Sequence, residues 1–99
     1  MDDEFKIIVG FQWDEGNAHK NRITHNVENW ECEQIFFNVP LLILGDPKHS
    51  ATEERWAAFG HTDNGRLLAV VLTKRGNLIR IVSARDMNRK ERRFYEKNG

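Results

Sequence analysis

The sequence predicts an α+β fold in which an antiparallel β-sheet, a meander of three to four strands, carries two helices before it and one after. Three observations predict it. Strand-like runs at residues 55–61, 66–74 and 78–84 are separated only by Thr62-Asp63-Asn64-Gly65 and by Arg75-Gly76-Asn77, and Asn-Gly between apolar runs is the strongest short hairpin signal. Residues 28–37 place Cys32, Ile35 and Phe36 on one stripe at helical spacing. Asn88 with Glu91 three places on has the pattern of a capping box, in which each side chain closes one open backbone N–H at the start of a helix.

Each element follows from local chemistry. Residues 5–11, Phe-Lys-Ile-Ile-Val-Gly-Phe, are mostly apolar and β-branched and read as a first strand. Trp13-Asp14 opens a helix, with Asp14 as N-cap and Glu15 at the positive end of the helix dipole. That helix runs to about His25 and stacks Asn17, Asn21 and His25 on one face at i, i+4 and i+8. The second helix covers residues 28–37, and Pro40 ends the region. Residues 41–44 read as a short buried strand, Gly45-Asp46-Pro47 as a turn and residues 48–52 as a loop. The last helix covers residues 89–97 and carries Phe94 and Tyr95 for packing or for bases.

The chain has 99 residues, enough for one domain around one core. Cys32 is the only cysteine, which rules out an internal disulfide and points to a reducing compartment. The acidic start has no apolar core of a signal peptide, and the run at residues 41–44 is too short to cross a bilayer. A cytoplasmic protein is expected. Net charge is zero, but it is unevenly spread. Residues 1–54 hold eleven Asp/Glu against four Lys/Arg, a balance of −7, and residues 55–99 hold eleven Lys/Arg against four Asp/Glu, a balance of +7. Phosphates respond to the local potential and not to the total. The second half is therefore a candidate surface for an RNA backbone.

Arginine suits that surface because its planar fork donates two parallel hydrogen bonds and stays charged at any working pH. Arg66 and Arg75 sit at strand ends, Arg80 within a strand and Arg85 just past one. Strict alternation puts Ile79, Ile81 and Ser83 on one face and Arg80, Val82 and Ala84 on the other. The competing reading pairs these arginines with carboxylates from the acidic half. Among the histidines, His25 is the best acid–base candidate, and His19, His49 and His61 are weaker ones. No His-x3-His pair or Cys-x2-Cys is present, so no metal is expected. No Gly-x-Gly-x-x-Gly, Walker loop or Ser–His–Asp motif is present, so no cofactor is expected either. Trp13, Trp30 and Trp56 read as core.

Together these residues resemble a known family. Phe11-x-Trp13-Asp14, Asn21, His25-x-Val27 and Ile35-Phe36-Phe37 look like the opening of the BrnT ribonucleases of type II toxin–antitoxin systems. The later half is similar at Gly60-x-Thr62-x-x-Gly65-Arg66-Leu67-Leu68, Thr73-x-Arg75-Gly76, Ile79-Arg80-Ile81-x-Ser83-Ala84-Arg85 and Arg89-x-Glu91-Arg92 with Tyr95-Glu96. The chain departs from the pattern at Asn17 and Thr24, where many members carry lysine. The resemblance implies a RelE-like fold and a metal-independent endoribonuclease that arrests translation. It also implies a BrnA-like ribbon-helix-helix antitoxin, with DNA reached only through that partner. On this reading His25 and Arg85 are the central catalytic pair, with Arg80 and Arg55 beside them, and Arg66, Arg75, Arg92 and Tyr95 contact RNA. A non-catalytic module that binds RNA, ribosome or partner is the alternative.

Overall fold

A computed structural model of the protein describes residues 7–47 and 53–99. The elements are β1 (Gly10–Gln12), α1 (Lys20–His25), α2 (Asn29–Gln34) with a 3-10 turn (Ile35–Phe37), β2 (Leu42–Gly45), β3 (Arg55–His61), β4 (Leu67–Arg75), β5 (Leu78–Asp86) and α3 (Arg89–Asn98). The two sequence-predicted hairpins form. Their glycines, Gly65 at φ 86° and Gly76 at φ 59°, occupy the left-handed region that side-chain-bearing residues avoid.

The sheet has five strands in the order β1-β5-β4-β3-β2. Strands β2 to β5 are antiparallel, as expected, but β1 lies parallel to β5 through Gly10↔Leu78, Phe11↔Ile79 and Gln12↔Arg80. The sheet is therefore mixed and not purely antiparallel. A meander leaves two bare edges, and β1 fills the one beside its last strand. The direction of that pairing has no local sequence signature. The expected first strand at residues 5–11 falls partly outside the described residues, and the expected loop at 48–52 with His49 lies wholly outside them.

The first helix is shorter than its pattern suggests. Asp14 caps a turn and not a helix: its carbonyl accepts from Asn17 N (3.1 Å) and Ala18 N (2.7 Å), and its carboxylate accepts from Gly16 N (2.8 Å). Gly16 and Asn17 are poor helix formers, and α1 starts only after His19. Asn17 is buried and its amide donates to Gln12 O and Ile81 O, both at 3.0 Å. Asn21, also buried, accepts from Ala84 N at 2.9 Å. Both asparagines thus tie the α1 region to β5, one helix turn apart. The capping boxes Glu28–Glu31 and Asn88–Glu91 are both made.

Helices α1 and α2 cover one sheet face, where Val27, Cys32 and Ile35 meet Leu68, Leu72 and Ile81. Gly60 permits this closeness, since a Cβ there would stand 2.9 Å from Ile35 Cβ. Helix α3 covers part of the opposite face, where Tyr95 packs with Ala69 and Met87. Of the three tryptophans, Trp56 is buried, Trp13 is half-buried and Trp30 is 52% exposed, so the core assignment fails for Trp30.

One irregularity decides the site. Val71 pairs with Ser83 but Leu72 pairs with Ile81, so Val82 is an extra residue in β5. Such a bulge resets the alternation of the strand beyond it. Ala84 joins Ile79 and Ile81 in the core, and Ser83 changes sides. The parity drawn from strict alternation is thus corrected beyond Val82.

Candidate nucleic-acid interface

The face that α3 leaves open is built from three cross-strand rows. Gln12, Arg80, Thr73 and Arg55 form the first, Ser83, Val71 and Ala57 the second, and Arg85, Ala69 and Phe59 the third. Arg80 and Arg85 are an odd number of residues apart, so a regular strand would turn them to opposite faces. The bulge puts both on this one. At about 3.3 Å per residue their backbones lie roughly 16 Å apart. The expected site residues accordingly divide into two groups, one at each end of β5.

At the first end, Lys20, Arg55, Arg75 and Arg80 line a depression of about 230 Å³ with Asn17 and Glu53. Arg80 forks onto Asp14, with Nη1 donating to Oδ2 (2.8 Å) and Nη2 to Oδ1 (3.0 Å), and Nη1 also reaches Gln12 Oε1 at 3.3 Å. Arg75 forks onto Glu53 at 3.0 and 3.4 Å. These guanidinium groups hold both carboxyls below their usual range, with Gly16 N–H adding to the effect at Asp14. Gly16 makes the approach possible, because a Cβ there would lie 2.9 Å from Arg80 Nη2.

At the second end, His25, Arg66 and Arg92 gather about Asp86, with Arg85 next to it in the chain. Arg66 donates to Asp86 (2.7 and 3.1 Å), to Glu31 (3.0 and 3.1 Å) and to Asn26 O (3.0 Å). The Arg66 hydrogen bond is the main cause that holds the Asp86 carboxyl low, and the charges of Arg92 and His25 add to it. The same pairs raise Arg66 above its ordinary value. Arg66 therefore joins α2 to the β4–β5 end, with its fork already occupied.

Arg85 turns the other way and forks onto Glu91 at 2.6 and 2.9 Å. Glu91 raises Arg85 and is itself held low by it. His25 is exposed at the end of α1, on the helix side of the sheet, while Arg85 stands on the open side of the same strand end. Tyr95 is 5% exposed and its hydroxyl donates to Pro40 O at 2.5 Å, which makes it a core residue. Phe94, 37% exposed, is the aromatic of α3 that faces solvent.

Sequence reasoning missed the acidic partners Asp14, Glu53 and Glu91 and the cation Lys20. Only the capping-box position of Glu91 carried a local signal, and that signal pointed to the helix. Cys32 is no nucleophile, since burial pushes its thiol up to about 12. Among the described residues no three His, Cys, Asp or Glu side chains converge to hold a metal ion.

Fold and site together define a small α+β protein with an arginine-lined sheet face ordered by arginine–carboxylate forks. The family model described as the ribonuclease toxin BrnT of type II toxin–antitoxin systems matches residues 13–91. The chain belongs to that family. No curated protein matches it. Membership makes this a ribonuclease toxin family protein, with an antitoxin partner and an RNA target implied.

Proposed function

We infer that the protein is a metal-independent endoribonuclease that binds RNA on the open sheet face, cuts it at the strand end that Arg85 and His25 flank from opposite sides, and so arrests translation in the cytoplasm. The observation that carries this reading is the bulge at Val82, which brings Arg80 and Arg85 onto one face between two cationic ends. RNA supplies its own nucleophile, the 2′-hydroxyl. The protein must hold the backbone, move two protons and neutralise the charge that builds on phosphorus. In the reaction the 2′-oxygen bonds to phosphorus, the bond to the 5′-oxygen breaks, and a 2′,3′-cyclic phosphate and a 5′-hydroxyl result. Arg55, Arg75 and Arg80 grip the backbone, with binding that weakens as salt rises. Arg85 and Arg92 face the reacting end, where Arg85 meets charge that exists only in the transition state. His25 takes the 2′-proton or returns one to the 5′-oxygen, a role worth roughly 10²–10⁴-fold.

The partner on this reading is a BrnA-like antitoxin of ribbon-helix-helix type, which covers the cationic face and carries any operator DNA contact. The test is direct. Purified protein incubated with RNA in EDTA should yield 2′,3′-cyclic ends, and His25→Ala or Arg85→Ala protein should not. Cleavage by either variant at the wild-type rate removes that residue from the mechanism. A second reading, a non-catalytic module that docks a partner through the same face, is favoured by the carboxylates already seated on its arginines. It predicts RNA or antitoxin binding with no cyclic phosphate formed.

A further inference from the structure

Three arginines of the open face share one arrangement. Arg75, Arg80 and Arg85 each fork a single carboxylate with two N–H···O contacts, to Glu53, Asp14 and Glu91. This is the geometry in which arginine holds a phosphate, whose two oxygens match the fork as a carboxylate does. None of the three carboxylates belongs to the strands that carry the arginines. Asp14 follows β1, Glu53 precedes β3 and Glu91 lies in the first turn of α3. Each can therefore leave its arginine without breaking a ladder hydrogen bond.

We propose that Asp14, Glu53 and Glu91 are internal stand-ins for RNA phosphates, and that RNA binds by displacing them from Arg80, Arg75 and Arg85. The inference rests on the RNA-binding reading of this face and names its phosphate positions. Arg66 sets the contrast. Its carboxylate Glu31 is only 13% exposed, and its fork spans two acids and a carbonyl, so no phosphate can replace its partners without opening α2. Two of the three facing arginines are more open, Arg75 and Arg85 at 47% and 45% exposure, whereas Arg80 is 14% exposed and its partner Asp14 is the open member at 53%. An exposed ion pair contributes little, so the exchange at Arg75, where both partners are open, is a modest toll on binding and not a lock. Glu53 should leave first, having the longer second contact at 3.4 Å. Asp14 and Glu91 should leave later, because each also accepts a backbone N–H, from Gly16 at 2.8 Å and from Asn88 at 2.9 Å.

The exchange has a measurable signature. A fluorescent single-stranded RNA with 2′-O-methyl sugars binds without a nucleophile to cleave it, which separates binding from chemistry. Glu53→Gln removes the competing charge, and Glu91→Gln does so while keeping an acceptor for the capping box. Each should tighten binding about two- to fivefold. Each should also steepen the fall of log K with log salt by up to about 0.7, the share of one recovered phosphate contact on a single strand. Glu96→Gln, an exposed charge on α3 outside the three pairs, reports the general effect of losing a negative charge. In an Arg75→Gln background the gain from Glu53→Gln should vanish.

The proposal is overturned if Glu53→Gln and Glu91→Gln gain no more than Glu96→Gln, or if the Glu53→Gln gain survives without Arg75. Tightening by these variants in a protein that never cleaves RNA keeps the phosphate positions and defeats the ribonuclease reading. Cleavage with binding blind to all three variants does the reverse.

Discussion

The two ends of β5 hold arginines of the same chemistry in opposite employment. Arg66, with side-chain exposure of 26%, ties three separate segments together through Glu31, Asp86 and Asn26 O. Arg75, at 47%, holds one half-buried acid at the rim of a cationic depression. Both count equally toward the +7 of the second half, and both sit at strand ends beside turns. What separates them is how many partners each fork satisfies and how deeply those partners are buried. A charge whose partners are buried is costly to strip, whereas an exposed pair exchanges for another anion at little cost. Charge clustering locates a basic region, and partner burial tells structural members from functional ones.

The largest expected effect lies on the functional side. Arg85→Ala should lower the cleavage rate by about 10²–10³-fold, the cost of losing one donor to the transition-state charge, with thermal unfolding little changed. A cleavage assay beside a melting curve checks both halves. Loss of fold in place of loss of rate would move Arg85 into the structural class. Arg66→Gln should do the opposite. It should destabilise the protein by roughly 1–3 kcal/mol, because Glu31 is left half-desolvated. The folded fraction should still cleave RNA, and urea unfolding with activity per folded molecule measures it.

A control for pure packing comes from Gly60. Gly60→Ala places a Cβ against Ile35 Cβ and O, and should cost about 1–3 kcal/mol as overpacking does. Binding of 2′-O-methyl RNA by the folded protein should not change. The smallest effect belongs to His61. Both its ring nitrogens face carbonyls, Val39 O and Thr62 O at 3.0 Å, and these hydrogen bonds raise its ordinary value. A raised folded value means stability that is fully present below the unfolded value near 6.5 and is lost as pH rises through the folded one. The urea midpoint of wild type should therefore exceed that of His61→Gln by more at pH 5.5 than at pH 8.5. A gap that widens with rising pH would show that the ring is held neutral.

Much of this protein is written locally. Asn64-Gly65 and Gly76 close the two hairpins because only a residue without a Cβ enters those dihedrals cheaply. Asn88 and Glu91 start α3 because their side chains reach backbone N–H groups within one turn. The division into an acidic and a basic half is plain composition. The direction of β1, the bulge at Val82, the burial of Tyr95 and the choice of Asp14 for Arg80 are decided elsewhere, by segments up to 68 residues away along the chain. Pairing at that distance depends on which edge and which register bury most apolar surface, and no window of neighbouring residues contains that choice. The sequence alone determined that arginines would crowd these strands. Only tertiary structure decided that Arg80 and Arg85 share a face, because a single extra residue in β5 inverts every side chain that follows it.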